Sequence, residues 1–292
     1  MKKDKPVICW WSGGITSSVA CRIAIDIFGK DNCRVVFIDT HNESDDTYRF
    51  KDDCQDWYGI DIETISRIPT DYKSIEDVWY KYLSLNTAHG AICSSELKRE
   101  VRIRFQKEND YSFQVFGFEF TKREFNRALS LSLNYPESNP IFPLLMRGYD
   151  KHRCIEIAQE QGIEVPESYK QGHSNNNCRK TGCIQGGVGY WQKIQREEPK
   201  VFNRMAFIEH DLTNIKGEPV TICKDQSNEA KDKPVKERLV FLEPHPDYPN
   251  NKDLSMMDGK EPEPLMECNG MCSLDDLSEN KDEIDFNLML EL

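Results

Sequence analysis

A glycine-rich segment near the N-terminus has the composition of a phosphate-binding loop. Two glycines and four hydroxyl side chains make up most of the run Ser12-Gly13-Gly14-Ile15-Thr16-Ser17-Ser18, which follows an apolar stretch and precedes an amphipathic one. Backbone N–H groups at the start of a helix attract anions, and glycine lets the backbone approach a phosphate closely. The run therefore favours a phosphate site, with an ordinary glycine turn as the alternative.

Two pairs of closely spaced cysteines have the spacing of metal ligands. Four residues separate Cys178 from Cys183 in a polar, glycine-rich loop, and three separate Cys268 from Cys272 near the C-terminus. Two such pairs can converge on one tetrahedral thiolate site, filled by an iron–sulfur cluster or else by zinc. Spacing alone does not choose between these metals, and four free thiols on polar loops are the alternative.

The composition limits the class of protein. The chain has 292 residues, of which 38% are apolar, and its 11 cysteines are an odd number. The first residues offer neither an export signal nor a membrane span. We therefore expect a cytoplasmic protein without a membrane partner, in which cysteines serve as thiols or metal ligands and not as a disulfide framework.

The net charge of −12 does not by itself exclude a nucleic-acid partner, because the acidic residues are concentrated at one end. Residues 258–292 hold eleven acidic and two basic side chains, so this tail carries −9 and the rest of the chain only −3. Basic residues cluster within 98–107, 122–127 and 147–153. These clusters fit either a polyanion partner or ordinary solvated helix faces.

Alternating strand and helix patterns must position these residues. Apolar, β-rich stretches at 6–11 and 34–39 flank a helical stripe over 16–28. Such a βαβ unit implies a parallel sheet that binds ligands outside the carboxyl ends of its strands. Further elements are predicted at 46–58, 61–66, 74–85, 95–107, 113–118 and 123–133.

We predict an α/β protein of two parts. Residues 1–165 form a nucleotide-binding domain with a doubly wound, mostly parallel sheet. Residues 166–292 comprise a polar substrate loop over 166–189, a helical segment broken at Pro199, and a cysteine-rich, metal-binding extension with an acidic tail.

The loop and the stretch after the second strand resemble known enzymes. SGGITS resembles the SGGxxS signature of PP-loop enzymes, which cleave ATP between its α and β phosphates to adenylate a substrate. Asp39 and Thr40 at a strand end, followed by Asp46 and Thr47 at a helix start, resemble the phosphoadenosine-phosphosulfate reductase branch. The resemblance implies an adenine nucleotide alpha hydrolase-like fold that binds ATP with Mg²⁺, or a sulfonucleotide. Thr16 stands where many members have aspartate, which puts magnesium and pyrophosphate handling there in doubt.

Further stretches resemble the same branch. CSSELKR, from Cys93 to Arg99, resembles an element whose lysine meets the nucleotide phosphates, which implies this role for Lys98 and Arg99. GFEFTKREFNR resembles a second element and makes Glu124 and Arg127 site candidates. The runs CRKTGCIQGGVGYWQKI and ECNGMC together resemble phage-associated reductase-like proteins in which both cysteine pairs occur.

The resemblance leaves three functions open. The first is an adenylating enzyme that transfers sulfur to DNA, tRNA or a nucleotide-like substrate, with sulfur supplied by a donor protein and delivered through the cysteine centre or Cys93. Asp39 and Thr40 would then reach the ribose or the reacting group, and Lys98 and Arg127 would neutralise phosphate charge. The second is an adenylyl-sulfate reductase with Cys268 as nucleophile. The third is a non-catalytic nucleotide-sensing module whose acidic tail docks a partner.

Overall fold

The computed structural model describes residues 5–87, 90–176 and 178–262. In chain order the strands are β1 (Val7–Trp11), β2 (Cys33–Ile38), β3 (Ile62–Ile65), β4 (Asn86–Thr87), β5 (Gly90–Ala91), β6 (Gln114–Val115), β7 (Pro140–Ile141), β8 (Cys223–Lys224), β9 (Leu239–Phe241) and β10 (Lys252–Asp253). The helices are α1 (Ile15–Phe28), α2 (Asp45–Tyr58), α3 (Ile75–Tyr82), α4 (Ile92–Ser94), α5 (Glu100–Glu108), α6 (Lys122–Asn134), α7 (Pro143–Arg147), α8 (Lys151–Glu160), α9 (Glu167–Lys170), α10 (Val188–Glu197) and α11 (Pro199–Lys216). A π-helical turn, Ser95–Arg99, joins α4 to α5.

The central sheet has five parallel strands in the order β3-β2-β1-β6-β7. The chain therefore winds to one side of β1 through β2 and β3, and later to the other side through β6 and β7. In open sheets of this kind ligands bind at the carboxyl ends of the strands where the winding direction reverses. The predicted doubly wound parallel sheet is confirmed.

Helices cover both faces of this sheet. Cys9 and Trp11 of β1 pack in one apolar cluster with α1, α2 and α8, whereas Ile8 and Trp10 pack in another with α5 and α6. Alternate residues of a strand point to opposite faces, so β1 must be apolar throughout when both faces are covered. Four cysteines of these elements are buried and pack as small apolar side chains: Cys9, Cys21, Cys33 and Cys54.

A third apolar cluster lies away from the sheet. It joins residues 68–97 to residues 178–254, so α3 packs with α10 and α11. Glu209 of α11 is buried there and accepts hydrogen bonds from the backbone N–H groups of Ile222 (2.6 Å) and Leu242 (2.7 Å). A buried carboxylate with two backbone donors fixes the later segments onto the helix. Within the described ranges, no helix has the length and apolarity that a bilayer crossing requires.

Three differences from the predicted elements concern the central sheet and the substrate loop. The strand expected over 113–118 is only the two-residue β6, the edge strand β7 was not predicted, and the substrate loop contains the short helix α9. Proline lacks a ladder donor and is tolerated at a sheet edge, where Pro140 lies. Strands of two residues are too short to show a periodicity, so the pattern could not reveal them.

Candidate nucleotide and thiol site

The glycine-rich run forms a tight loop between β1 and α1. The Ser17 hydroxyl accepts a hydrogen bond from the Ser12 backbone N–H (3.0 Å) and donates one to the Gly14 carbonyl (2.8 Å). Gly13 has φ +84°, and a Cβ atom there would lie 2.9 Å from the Thr47 side chain. The loop therefore needs glycine at this position for both backbone conformation and space.

The hydroxyl side chains of the loop serve its internal structure. Ser18 donates to the Gly14 carbonyl (2.9 Å) and accepts from the Trp11 indole N–H (2.8 Å). The Thr16 hydroxyl is buried and has no hydrogen-bond partner within the described part of the chain. The Ser18 backbone N–H already donates to the Gly14 carbonyl (3.1 Å). A phosphate contact from Ser17 would therefore come from its backbone N–H at the N-terminus of α1.

The end of β6 touches the start of α1. A Cβ atom on Gly117 would lie 2.5 Å from the Ser17 Cα atom and 2.6 Å from its nitrogen, distances at which backbone must move. Gly117 therefore brings the segment after β6 into direct contact with the phosphate loop. The glycine-led element recognised in the sequence is thereby joined to the loop by packing.

Four buried polar side chains meet beyond the end of β2. Thr40 donates to Glu43 Oε1 (2.9 Å), and Lys98 Nζ lies 3.9 Å from the same oxygen. Asp39 accepts hydrogen bonds from the His41 backbone N–H (2.7 Å) and the Tyr48 hydroxyl (3.1 Å). Burial raises the pKa of Glu43 to about 7, although Lys98 opposes this shift. The structure thus brings the predicted Asp39, Thr40 and Lys98 together around Glu43.

Glu43 was missed by the sequence analysis. It stands in the run Asp39-Thr40-His41-Asn42-Glu43, between the strand and the helix pairs on which the resemblance rests. An acidic residue in a polar loop usually faces solvent, so its type carried no signal. Only its burial with Lys98 marks it as part of the site.

Three cysteines line one small cavity beside this group. Cys93, Cys178 and Cys183 face it together with Thr40 and Lys98. Cys178 has φ +50°, a backbone conformation that is uncommon for residues other than glycine and is found at functional sites more often than elsewhere. The predicted thiol candidate Cys93 and the first cysteine pair are therefore neighbours of the predicted phosphate-binding lysine.

Two of the four cysteines of the predicted metal site lie within the described residues. Cys178 and Cys183 line the same cavity, as two ligands of one centre would, whereas Cys268 and Cys272 lie outside the described residues. Within 5–87, 90–176 and 178–262, no three Cys, His, Asp or Glu side chains are close enough to hold a metal ion together. The four-cysteine site therefore stays a prediction, and Cys93 does not complete it.

The predicted pair on α6 is buried and self-paired. Arg127 donates to both carboxylate oxygens of Glu124, at 2.8 and 2.7 Å, and its guanidinium lies 4.7 Å from the centre of the Phe118 ring. The Thr121 hydroxyl caps the helix by accepting from the Glu124 backbone N–H. The Arg127 charge is therefore matched within the helix, which holds the guanidinium in a fixed position.

The basic clusters of the sequence divide into buried and exposed members. Lys98, Arg102 and Arg127 are buried, whereas Arg104 and Lys107 of the same runs are exposed. The Arg102 nitrogens have no hydrogen-bond partner among the described residues, and burial lowers the pKa of this guanidinium to about 10. The basic runs are therefore not solvated helix faces throughout, because some of their cations are buried inside the protein.

The substrate loop lies over the phosphate loop and is bonded to it. The Tyr169 hydroxyl accepts a hydrogen bond from the Ile15 backbone N–H (3.1 Å), the first of α1. The Asn176 amide donates to the Gly13 carbonyl and to the Thr47 hydroxyl, both at 3.0 Å. Asp46 also anchors this loop, since it accepts a hydrogen bond from the Glu167 backbone N–H (2.7 Å).

We expect the variant Tyr169→Phe to bind ATP more tightly, by about threefold to tenfold. The hydroxyl occupies an N–H group that a phosphate oxygen would use, and one such hydrogen bond contributes about 1 kcal/mol. Titration calorimetry with ATP measures the change. Tyr111→Phe, which removes a hydroxyl near Glu137 and away from the loop, serves as control. Weaker binding by Tyr169→Phe would mean that the hydroxyl contacts the nucleotide.

A family model and a curated relative match this chain. The model described as the phosphoadenosine phosphosulfate reductase domain matches residues 6–185. An uncharacterized protein of Methanocaldococcus jannaschii is 27% identical over 210 residues, which are 70% of this chain and 41% of that protein. The chain thus spans about two fifths of that relative's length.

Two solved structures are similar at low identity. A phosphoadenylyl-sulfate reductase from Candida auris, in a phosphate complex, is 18% identical with a TM-score of 0.42, over 57% of this chain and 78% of that one. The U34-tRNA thiolase NcsA from Methanococcus maripaludis, with its 4Fe–4S cluster, is 14% identical with a TM-score of 0.41, over 72% of this chain and 73% of that one. At these scores neither protein lends a residue role to this chain.

Proposed function

We propose an ATP-dependent sulfur-transfer function, from the premise that this chain belongs to the phosphoadenosine phosphosulfate reductase domain family. The nucleotide's phosphates lie at Ser12–Ser18, against the N-terminus of α1 and at the reversal point of the sheet. A carbonyl or phosphate oxygen of the substrate attacks the α-phosphate, and pyrophosphate leaves. A sulfur nucleophile then attacks the activated atom, and AMP leaves with the original oxygen.

The main support for this proposal is that Lys98 and three cysteine thiols line the same cavity. Thr40 faces it from the end of β2, Cys93 and Lys98 from α4 and the π-helical turn, and Cys178 and Cys183 from the substrate loop. A cation beside the cavity stabilises both phosphate charge and thiolate. The arrangement supports sulfur chemistry next to a nucleotide phosphate, with Arg99, Glu124 and Arg127 as further residues that shape the phosphate side.

A metal centre fits the thiol side of this proposal. Cys178 and Cys183 would supply two thiolates and the cysteines Cys268 and Cys272 the other two, around an iron–sulfur cluster or zinc. An iron–sulfur cluster would hold sulfur at the site where sulfur is transferred, whereas zinc would hold the cysteine loop in place. Residues 1–165 would then carry the nucleotide with Mg²⁺, and residues 166–292 the thiol centre and the contacts to DNA or tRNA and to a sulfur-donor protein.

The family match itself favours a second candidate function. A reductase of adenylyl-sulfates would bind the sulfonucleotide at the same loop, and the Cys268 thiolate would attack its sulfur and release the nucleotide. This function needs Cys268 as a nucleophile and not as a ligand, and the match over residues 6–185 stops short of that cysteine.

One assay pair separates the two functions. The full chain, purified without oxygen, is incubated with ATP, sulfide and unmodified bulk tRNA or DNA, and pyrophosphate and thiolated nucleosides are measured. In parallel, sulfite release from phosphoadenosine phosphosulfate is measured with a thiol reductant. Pyrophosphate release that depends on nucleic acid supports sulfur transfer. Sulfite release that Cys268→Ser abolishes, with metal content intact, supports the reductase and overturns the first proposal.

A further inference from the structure

We propose that Glu43 is a built-in counter-ion of Lys98, and that a phosphate-bearing ligand displaces it from this role with uptake of one proton. The inference rests on the proposed nucleotide site and adds to it a positioning residue and a pH dependence. Glu43 acts through Lys98 and does not touch the ligand.

Among the described residues, Lys98 is the one cation that forms an ion pair with Glu43. Its side chain is 2% exposed and that of Lys98 is 5% exposed, with 3.9 Å between Oε1 and Nζ. Thr40 donates to Oε1 (2.9 Å), and the Asn42 backbone N–H donates to Oε2 (3.0 Å). The carboxyl group is thus held in place by Thr40 and Asn42, at ion-pair distance from the Lys98 ammonium group.

The charges around Glu43 are close to balance. Lys98, from the π-helical turn, favours the ionised carboxylate, whereas Asp39, at the end of β2, disfavours it. Tyr48 of α2 bonds to Asp39, and burial together with both carboxylates raises the pKa of this phenol above its ordinary value. Glu43 therefore has one ammonium group and one further carboxyl group as charged neighbours, with opposite effects on its ionisation. In a buried site, a small change in charge shifts the protonation of such a group.

A phosphate at Lys98 makes that change. The ligand adds negative charge and draws on the same ammonium group, so the ionised form of Glu43 loses its support and gains a repulsive neighbour. The carboxyl group then takes up a proton from solvent, and the ligand pairs with Lys98. Since burial already raises the pKa of Glu43 to about 7 in the free protein, the uptake falls in the neutral range.

The sign of the pH dependence follows by linkage. When binding takes up a proton, affinity falls as pH rises above the pKa of the free protein, by up to tenfold per pH unit. The affinity continues to fall with rising pH until the pH reaches the pKa that Glu43 has in the ligand-bound protein. Well below pH 7, where Glu43 is protonated in the free protein, affinity no longer depends on this group.

The test is titration calorimetry of the full chain with ATP, at pH 7.5 in Tris and in HEPES, which differ in ionisation enthalpy. We expect a buffer-dependent heat that corresponds to uptake of about 0.5 to 1 proton, and a dissociation constant that rises about fivefold to tenfold between pH 7 and 8.5. Glu43→Gln should remove both effects and bind ATP more tightly at pH 8. Asp45→Asn, which removes an exposed carboxylate of α2, should keep both.

Each outcome decides the inference. Equal heats in the two buffers for the wild type would overturn it, whether or not Glu43→Gln folds. Weaker ATP binding by Glu43→Gln at every pH would also overturn it, because Glu43 would then act as a direct ligand. ATP binding with proton uptake but without any product would sustain the inference while the proposed reaction fails. No ATP binding by the wild type would overturn both.

Discussion

Replacement of Gly117 with alanine is expected to abolish nucleotide binding, with at least a 100-fold rise in the dissociation constant for ATP, or about 2.7 kcal/mol. The added Cβ atom would stand 2.5 Å from the Ser17 Cα atom, in the first turn of α1, and backbone atoms cannot rotate away as a side-chain end can. The loop must shift, and its N–H groups lose their alignment towards the phosphates. Overpacking of this kind also costs about 1–3 kcal/mol of folding free energy.

The matched control for this variant is Gly259→Ala. Among the described residues, no atom other than those of its chain neighbours lies within 4 Å of a Cβ built on Gly259, and its φ is outside the left-handed region. The same chemical change should therefore leave both quantities unchanged. Calorimetry gives the ATP affinity, and urea unfolding gives the stability. If Gly117→Ala kept ATP affinity within threefold of the wild type while folding normally, the phosphates would not bind at the N-terminus of α1.

Local patterns in the sequence were sufficient for the sheet and the phosphate loop. The apolar run of β1, the glycine pair and the stripe of α1 are contiguous, so their composition reports directly on their structure. The contact between Ile15 and Tyr169 joins residues 154 positions apart, and no pattern within either segment predicts it. The position of the substrate loop over the phosphate loop could therefore be recognised only in the three-dimensional structure.

A charged residue type in the sequence does not show whether its side chain is buried or exposed. The runs that hold Lys98, Arg102 and Arg127 have the letters of a basic surface, yet these three side chains are inside the protein. Glu43 shows the same for an acidic residue. Ionisable groups are seldom buried, so a prediction from residue type assigns them to the surface, and functional sites are where this rule fails most often.

The division of the chain at residue 165 stays a proposal. Residues 68–97 lie within the first part in sequence, but α3 packs in the apolar cluster of α10 and α11. Cys93 lies in this segment and Lys98 directly follows it, so the segment brings both residues to the cavity that Cys178 and Cys183 line. The cavity is lined by Thr40 from the first part and Cys183 from the second. Any joint action of the two parts at this cavity would therefore depend on how they pack together.

Replacement of Cys178 with alanine is expected to empty the metal centre. The wild type, purified without oxygen, should contain iron with acid-labile sulfide, or zinc, in a fixed ratio to the chain. Loss of one of four thiolates opens the coordination sphere and leaves a site too weak to survive purification, so the metal content should fall to background. Cys183→Ala and Cys268→Ala should do the same, because all three belong to one centre.

Two further variants make the result specific. Cys154→Ala removes a buried thiol on α8, remote in function from the cavity, and should keep the full metal content. Cys93→Ala should also keep it, because Cys93 lines the cavity without completing a three-ligand group among the described residues. Iron with sulfide that depends on Cys178 would support sulfur transfer. Zinc alone would make the four cysteines a structural clasp. A wild type without metal would refute the convergent site, and Cys268 would then be the candidate nucleophile.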